Sequence, residues 1–315
     1  MGKDLAENFP AAGTLFEKAD AVLGYSLSWF CWEGPAEILT RTEHCQPALY
    51  VTALAALAAL ESAVGDQQAI RPAAAARQEG LVVRLPIAAA AGLSLGEYTA
   101  LAAAGAFSFE DGLRLVRLRG QAMQRAAQIS PGTMASLLGL DLASVEAICA
   151  ETNAQVANLN APGQIVISGT TEAVASASAK AKAKGAKRVI LLEVGGAFHS
   201  RLMKPAAQRL QEALQKISIQ TPRFPVANNV SGAYYRGSDE VNSMLVEQLT
   251  RPVQWVACME TILQTGVQSF LEVGPGSVLK GLLRKICPEA EVYSVGTVEQ
   301  VREAASALAG APKSS

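Results

Sequence analysis

"AAAAGLSLGEYTALAAAG", residues 88–105, sets a serine between two glycines, Gly92-Leu93-Ser94-Leu95-Gly96. The apolar run "LVVRLPIAAAAG" leads into it and an alanine-rich run follows. The first reads as a central parallel strand, buried on both faces, and the second as a helix to about Ala104. Gly-x-Ser-x-Gly between strand and helix is the pattern of a nucleophile elbow. The turn is sharp, the flanking glycines remove Cβ atoms that would collide, and the serine stands above the sheet. The amide of Leu95 opens the helix and can meet an acyl oxygen as it becomes negative. A small residue at an ordinary strand–helix turn fits the same pattern, so the chemistry turns on whether a base is available.

A nucleophilic serine needs one, and histidine suits because it titrates near neutrality. The chain has two. His44, in "TEHCQPAL", precedes a buried helix and reads as a partly exposed loop residue; its neighbour Cys45 is too close in sequence for the two side chains to converge. His199, in "GGAFHSRLM", lies in a loop directly after a predicted strand, where scaffolds commonly hold catalytic groups. His199 is the better base.

The surroundings are those of a globular enzyme. Half of the 315 residues are hydrophobic, 17% are charged, and the formal net charge is -1. No lysine/arginine block marks a nucleic-acid or anionic-membrane surface. The lysines of "AKAKAKGAKR" read as a solvated helix face rather than a docking patch. The longest apolar run, "ALYVTALAALAAL" at 48–60, is too short to span a bilayer and reads as a buried helix. "MGKDLAENFP" has neither the apolar core of a secretory signal nor the basic character of a transit peptide. Five scattered cysteines with no Cys-x-x-Cys pair point to a reducing compartment, with no disulfide framework and no metal site.

Residues 4–75 read as helical. After the elbow helix, "FEDGLRLVRLRGQAMQRAAQ" is a second helix, acidic at its start and basic later, as the helix dipole favours. Between about 132 and 194 the order changes to strand, helix, strand, strand, helix, strand, a ferredoxin-like unit inserted in the larger layout. The domains expected are therefore a discontinuous catalytic unit, 1–131 and 195–310, the insert 132–194, and a tail 311–315. In the second part of the catalytic unit, "EVNSMLVEQLTRPVQW" reads as one helix, "VQSFLEVGPG" as a strand with its turn, and "AEVYSVG" as a last strand.

"GLSLGEYTAL", "RLRGQAMQ", "ANLNAPGQIVISG", "AFHSRLMKPA", "NNV", "RPVQW" and "FLEVGPGSVLKGL" occur together and in this order. The set resembles the malonyl-CoA:acyl-carrier-protein transacylases, acyltransferases that load malonyl units in fatty acid synthesis and have relatives serving polyketide synthases. The resemblance covers nearly the whole chain. It implies an α/β fold, with an α/β-hydrolase-like core, a parallel sheet and the ferredoxin-like insert. It implies malonyl transfer from malonyl-CoA to the thiol of acyl carrier protein through a malonyl-Ser94 intermediate, with no cofactor beyond these substrates. Alternatives are a trans-acting acyltransferase of a polyketide pathway and an inactive carrier-protein-binding homologue.

Roles follow residue by residue from the resemblance. Ser94 carries the acyl group, His199 moves the proton, and Leu95 supplies a backbone oxyanion donor. Arg119 grips the free malonyl carboxylate, to which a planar guanidinium can donate two parallel hydrogen bonds. By its residues alone Arg119 reads as a helix-surface ion pair, since Arg114, Arg117 and Arg125 are near. Gln254 orients His199 through its backbone carbonyl. Gln46 and Asn160 line the pocket, and Phe198 resembles forms that accept malonyl and exclude methylmalonyl groups. A serine hydrolase of the α/β class is the runner-up, but it would carry an acidic partner and a histidine near the C-terminus. The expected setting is bacterial cytoplasm or, in a eukaryote, a plastid or mitochondrial interior, and the expected state is a monomer. The family normally opens with a strand and a Gly-Gln-Gly-x-Gln loop that supplies a second oxyanion amide. The sequence matches only from after that loop, which leads to the expectation of an N-terminally incomplete form with a sheet position unfilled.

Overall fold

Helix signals near the N-terminus translate directly into structure. The computed structural model describes residues 1–68 and 83–310. Its first elements are α1 (Lys3–Asn8), α2 (Pro10–Leu23), α3 (Leu27–Trp32), α4 (Ala36–Leu39) and α5 (Thr42–Gln68). Pro10 opens α2, where a missing amide hydrogen costs nothing, and Gly24 closes it at φ 71°. Ser26 accepts from the amide of Trp29 to cap α3.

The α5 helix is apolar on all sides and residues 50–60 are all buried, as expected of a helix surrounded by protein. The helix is longer than the apolar run inside it. Thr42–Gly65 is long and apolar enough to cross a bilayer by length and composition, but it is packed inside the fold, as the reading of 48–60 as a buried helix expects. In the fold, 78% of its most apolar window is buried.

The elbow follows, as β1 (Ala90–Ala91), α6 (Leu95–Ala103) and α7 (Phe109–Ile129). The expected long strand before Ser94 is reduced to Ala90–Ala91, with part of the quoted run (residues 81 and 82) outside the described residues. Two features explain its shortness. The amides of Arg84 and Leu85 donate to the Glu61 carboxylate rather than to a neighbouring strand. Pro86 has no amide hydrogen to offer a ladder.

The insert is β2 (Thr133–Leu138), α8 (Leu142–Thr152), β3 (Gln155–Ala161), β4 (Gln164–Gly169), α9 (Thr171–Ala183) and β5 (Arg188–Leu191), with sheet order β3-β4-β2-β5 and every pair antiparallel. This is the ferredoxin-like arrangement. Asp141 and Thr170 cap α8 and α9 through the amides of Ser144 and Ala173. One face of the sheet, with Ala135, Leu137, Ile165 and Ile167, packs under these helices. The other face, with Met134, Ala157 and Val166, packs against Leu192, Val194 and Phe198. It is this second face that meets the loop carrying His199.

The chain closes with α10 (Lys204–Leu214), β6 (Val226–Ala227), α11 (Ser238–Gln248), α12 (Trp255–Leu263), β7 (Ser269–Val273), α13 (Val278–Ile286), β8 (Glu291–Val295) and α14 (Val298–Gly310). "EVNSMLVEQLTRPVQW" is not one helix, because Pro252 cannot continue it. Val253 instead donates to Ala157 O and accepts from Leu159 N, tying this break to β3. Helix α14 extends the fold beyond the last strand that the sequence predicts, and the expected tail at 311–315 lies outside the described residues. Among the described residues the parallel strands form two separate pairs, β1 with β6 and β7 with β8.

Candidate active site

Ser94 sits at φ 52° and ψ -100°, a left-handed backbone that a residue with a side chain adopts only when its surroundings enforce it. Asn229 enforces it. Its Oδ1 accepts from Ser94 N at 2.7 Å, and its Nδ2 donates to Gly92 O at 2.8 Å. Gln248 Nε2 donates to Ser94 O at 2.9 Å. The two glycines are not equivalent. A Cβ on Gly92 would fall 2.0 Å from both C and O of Gly96, whereas one on Gly96 would meet nothing within 4 Å among the described residues. Strand and helix touch at Gly92 alone, so the steric argument applies to the first glycine and not the second. Leu95 is the first residue of α6, so its amide has no partner within the helix.

His199 also has a positive φ, 55°, and only 4% of it is exposed. Its Nε2 lies 2.8 Å from Ser94 Oγ, and its Nδ1 lies 2.7 Å from Gln248 O. A carbonyl can only accept, so Nδ1 carries the hydrogen and Nε2 presents a lone pair to the serine hydroxyl. Burial, and then the nearby charge of Arg119, lowers the imidazole to about 4, against the opposing pull of the Gln248 carbonyl. The ring is therefore an uncharged base at neutral pH.

The orienting carbonyl belongs to Gln248 and not to Gln254. Gln248 is the last residue of α11, where a carbonyl has no helical amide to bond and is free for another donor. Gln254 precedes α12, and its amide donates to Asn229 O at 2.8 Å.

Arg119 lies on the inner face of α7, 1% exposed. Nη1 donates to Gln46 Oε1 at 2.7 Å; Nη2 donates to Ser94 Oγ at 3.0 Å and to Gln248 Oε1 at 2.9 Å. The guanidinium carbon stands 5.3 Å from the centre of the Tyr98 ring. No carboxylate is among these partners. Gly120 makes the arrangement possible, because a Cβ there would fall 2.6 Å from Thr42 O. The start of α5 approaches α7 closely at this point and brings Gln46 within reach. The surface-pair reading of Arg119 is thus set aside by its burial. Arg114 is the surface one, paired with Asp111 at 3.2 Å.

Glu97 was not anticipated. It is fully buried one turn after Ser94 on α6. The Tyr235 hydroxyl, Gln248 Nε2 at 2.5 Å and Asn229 N at 3.3 Å all donate to its carboxylate. Burial pushes this carboxyl up to about 7 despite those bonds and the charge of Arg119. The signal in the sequence was a lone acidic residue in the apolar run "LSLGEYTALAAAG", three residues after the nucleophile and so on its side of the helix.

The remaining expectations separate. Gln46 is buried and grips Arg119. Phe198 is half-buried and packs against the Met134–Val166 face. Asn160 lies on β3 with a buried Oδ1 that has no hydrogen-bond partner among the described residues and makes no bond to the serine, histidine or arginine. His44 is in the first turn of α5 rather than in a loop, with its ring against Tyr25 and Phe30. Among the described residues, no group of histidine, cysteine or acidic side chains could hold a metal ion.

A strained serine on a strand–helix turn, a buried neutral histidine and a buried arginine with no carboxylate bonded to it among the described residues define a covalent acyl-transfer class of site. The chain belongs to the acyl transferase domain family, whose pattern matches residues 1–307. It is 41% identical over 98% of its length to a malonyl CoA-acyl carrier protein transacylase of Bacillus subtilis, of which it covers 92%. Its fold matches an acyl-carrier-protein-S-malonyltransferase from Bartonella henselae with a TM-score of 0.88 and 41% identity, covering 98% of this chain and 95% of that one. It also matches, with a TM-score of 0.87 and 37% identity over 98% and 94% of the two chains, a malonyl-transacylase in complex with a holo type II PKS acyl-carrier protein.

Proposed function

We propose that this acyltransferase moves a malonyl group from malonyl-CoA to the phosphopantetheine thiol of an acyl carrier protein, in two half-reactions at Ser94. The observation that carries this reading is the state of Arg119. Two neutral amide oxygens hold a buried guanidinium within 3.0 Å of Ser94 Oγ, and among the described residues no carboxylate is hydrogen-bonded to it. A buried cation of this kind suits an acyl group that brings its own carboxylate. An esterase would present an apolar wall at that position.

In the first half-reaction Ser94 Oγ gives its proton to His199 Nε2 and attacks the thioester carbon. The Leu95 amide faces the oxygen as it becomes negative. The carbon–sulfur bond then breaks, His199 passes its proton to the departing sulfur, and malonyl-Ser94 remains. In the second half the carrier thiol gives its proton to His199 and attacks the ester, and Ser94 Oγ leaves and takes that proton back. No redox partner or cofactor enters either step. Gln46 and Gln248 hold Arg119 toward the malonyl carboxylate, and Phe198 borders the acyl group on the insert side. We place the reaction in bacterial cytoplasm or an organelle interior, with the protein acting as a monomer and the carrier protein as its partner.

The test is mass spectrometry of the protein after mixing with malonyl-CoA, then with holo-acyl carrier protein. The expected result is a malonyl adduct on Ser94 that moves to the carrier thiol. No adduct on Ser94, or an adduct released only to water, would overturn the reading.

A further inference from the structure

The side chain of Gln248 is the joint between two halves of the site. Its Oε1 accepts from Arg119 Nη2 at 2.9 Å. Its Nε2 donates to Ser94 O at 2.9 Å and to Glu97 Oε2 at 2.5 Å. An amide has two flip states, and here only one is tenable. Turned over, its oxygen would face a carbonyl and a carboxylate, and its hydrogens would face the hydrogens of Arg119. Glu97 is the side-chain acceptor of the pair that fixes this choice. Its own position is set from the far side by the Tyr235 hydroxyl and the amide of Asn229, the residue that also clamps the elbow.

A chain of contacts therefore runs from Glu97 through the Gln248 amide to the guanidinium, and it ends at the nucleophile. We propose that Glu97 is a positioning residue for acyl-donor selection: by locking the Gln248 amide it holds Arg119 aimed beside Ser94, so that a carboxylate-bearing acyl group is preferred over a neutral one. The proposal rests on the malonyl-transfer reading. It requires reach and a hydrogen-bond acceptor at position 97 rather than negative charge. A carboxylate that merely balanced the buried guanidinium would act through its charge.

Two conservative variants separate these roles. Glu97→Gln keeps the length and an oxygen acceptor but removes the charge. Glu97→Asp keeps the charge but withdraws it by one methylene from Gln248. The readout is the ratio of kcat/KM for malonyl-CoA to that for acetyl-CoA, with kcat and KM separated and Tm measured alongside. Glu97→Asp is expected to lower the ratio about tenfold or more, mainly through KM for malonyl-CoA, while Glu97→Gln stays within about threefold of the starting protein. Adding Gln248→Met to Glu97→Asp is expected to lower the ratio no further than Gln248→Met alone, because both act on one contact chain. A ratio that falls in Glu97→Gln and survives in Glu97→Asp would overturn the proposal in favour of a charge role. Losses that multiply in the double variant would overturn it as well. Arg119→Ala distinguishes the two readings. A ratio insensitive to that change sinks the malonyl reading itself, whereas a ratio sensitive to Arg119 but not to position 97 sinks only this inference.

Discussion

Replacing Glu97 by glutamine should uncover a pH dependence of stability that the native protein hides. The Glu97 carboxyl is raised from an ordinary 4.5 to about 7 by burial, and the His199 imidazole is lowered from 6.5 to about 4. A raised carboxyl keeps its proton in the folded state after the unfolded chain has lost it. Its contribution to stability is full below about 4.5 and declines as pH rises to about 7. A lowered imidazole has the opposite effect: its contribution is full above about 6.5 and is lost as pH falls through about 4. Each group contributes a slope of about 1.4 kcal/mol per pH unit, so between about pH 4.5 and 6.5 the two nearly cancel. Glutamine at position 97 removes one slope and leaves the other. Glu97 is not among the groups that shift His199, so the imidazole term should survive the change. Stability of the variant relative to the native protein should therefore rise by on the order of 3 kcal/mol between pH 4.5 and 7 and level off above. Nearby Tyr235 and Cys258 are both raised by burial, out of this window, and titrate in neither protein. The assay is chemical denaturation of both proteins across this range at fixed ionic strength. Surface carboxylates contribute equally to each and vanish from the difference. Parallel curves would refute the reasoning, because they would mean that the Glu97 carboxyl titrates in the folded protein as it does in the unfolded chain.

Four other outcomes are expected. Ser94→Ala should abolish covalent acylation, and His199→Ala should slow it by several orders of magnitude in a rapid-quench measurement. Arg119→Ala should lower malonyl-CoA turnover far more than acetyl-CoA turnover, so that the preference narrows or inverts; equal losses would make Arg119 structural. The rate of acylation should fall only in acid, near the His199 value of about 4, and Arg119→Ala should move that limb upward in a pH–rate profile by removing a neighbouring positive charge. Gly92→Ala should disrupt the elbow, because its Cβ has only 2.0 Å to Gly96, while Gly96→Ala should leave the melting temperature unchanged or higher.

What was legible in the sequence has local causes. The elbow depends on residues adjacent in the chain, so Ser94 and the Leu95 amide could be placed from a short pattern. The insert could be read because its strands and helices alternate with clear caps at Asp141 and Thr170. His199 stood out because the alternative histidine was poorly placed, and the joint set of motifs singled out Arg119 from the arginines around it. Local signals also misled. "LVVRLPIAAAAG" looks like a long central strand, yet the amides of Arg84 and Leu85 go to Glu61.

Only the tertiary structure decided which groups support the pair. A backbone carbonyl leaves no mark on the side-chain pattern, so Gln248 and Gln254 could not be told apart until α11 ended at the former and exposed its free carbonyl to His199. Glu97 is an acidic residue on a helix, ordinarily a solvated one, and its burial depends on Tyr235 and Asn229, which arrive from more than a hundred residues away. The sequence by itself determined the nucleophile and its base, because a serine on a strained turn and a histidine in a loop are matters of residue type and near-neighbour spacing, and the family resemblance pointed to the cation. The tertiary structure decided how that chemistry is aimed, because hydrogen-bond direction and burial depend on which distant segments pack together.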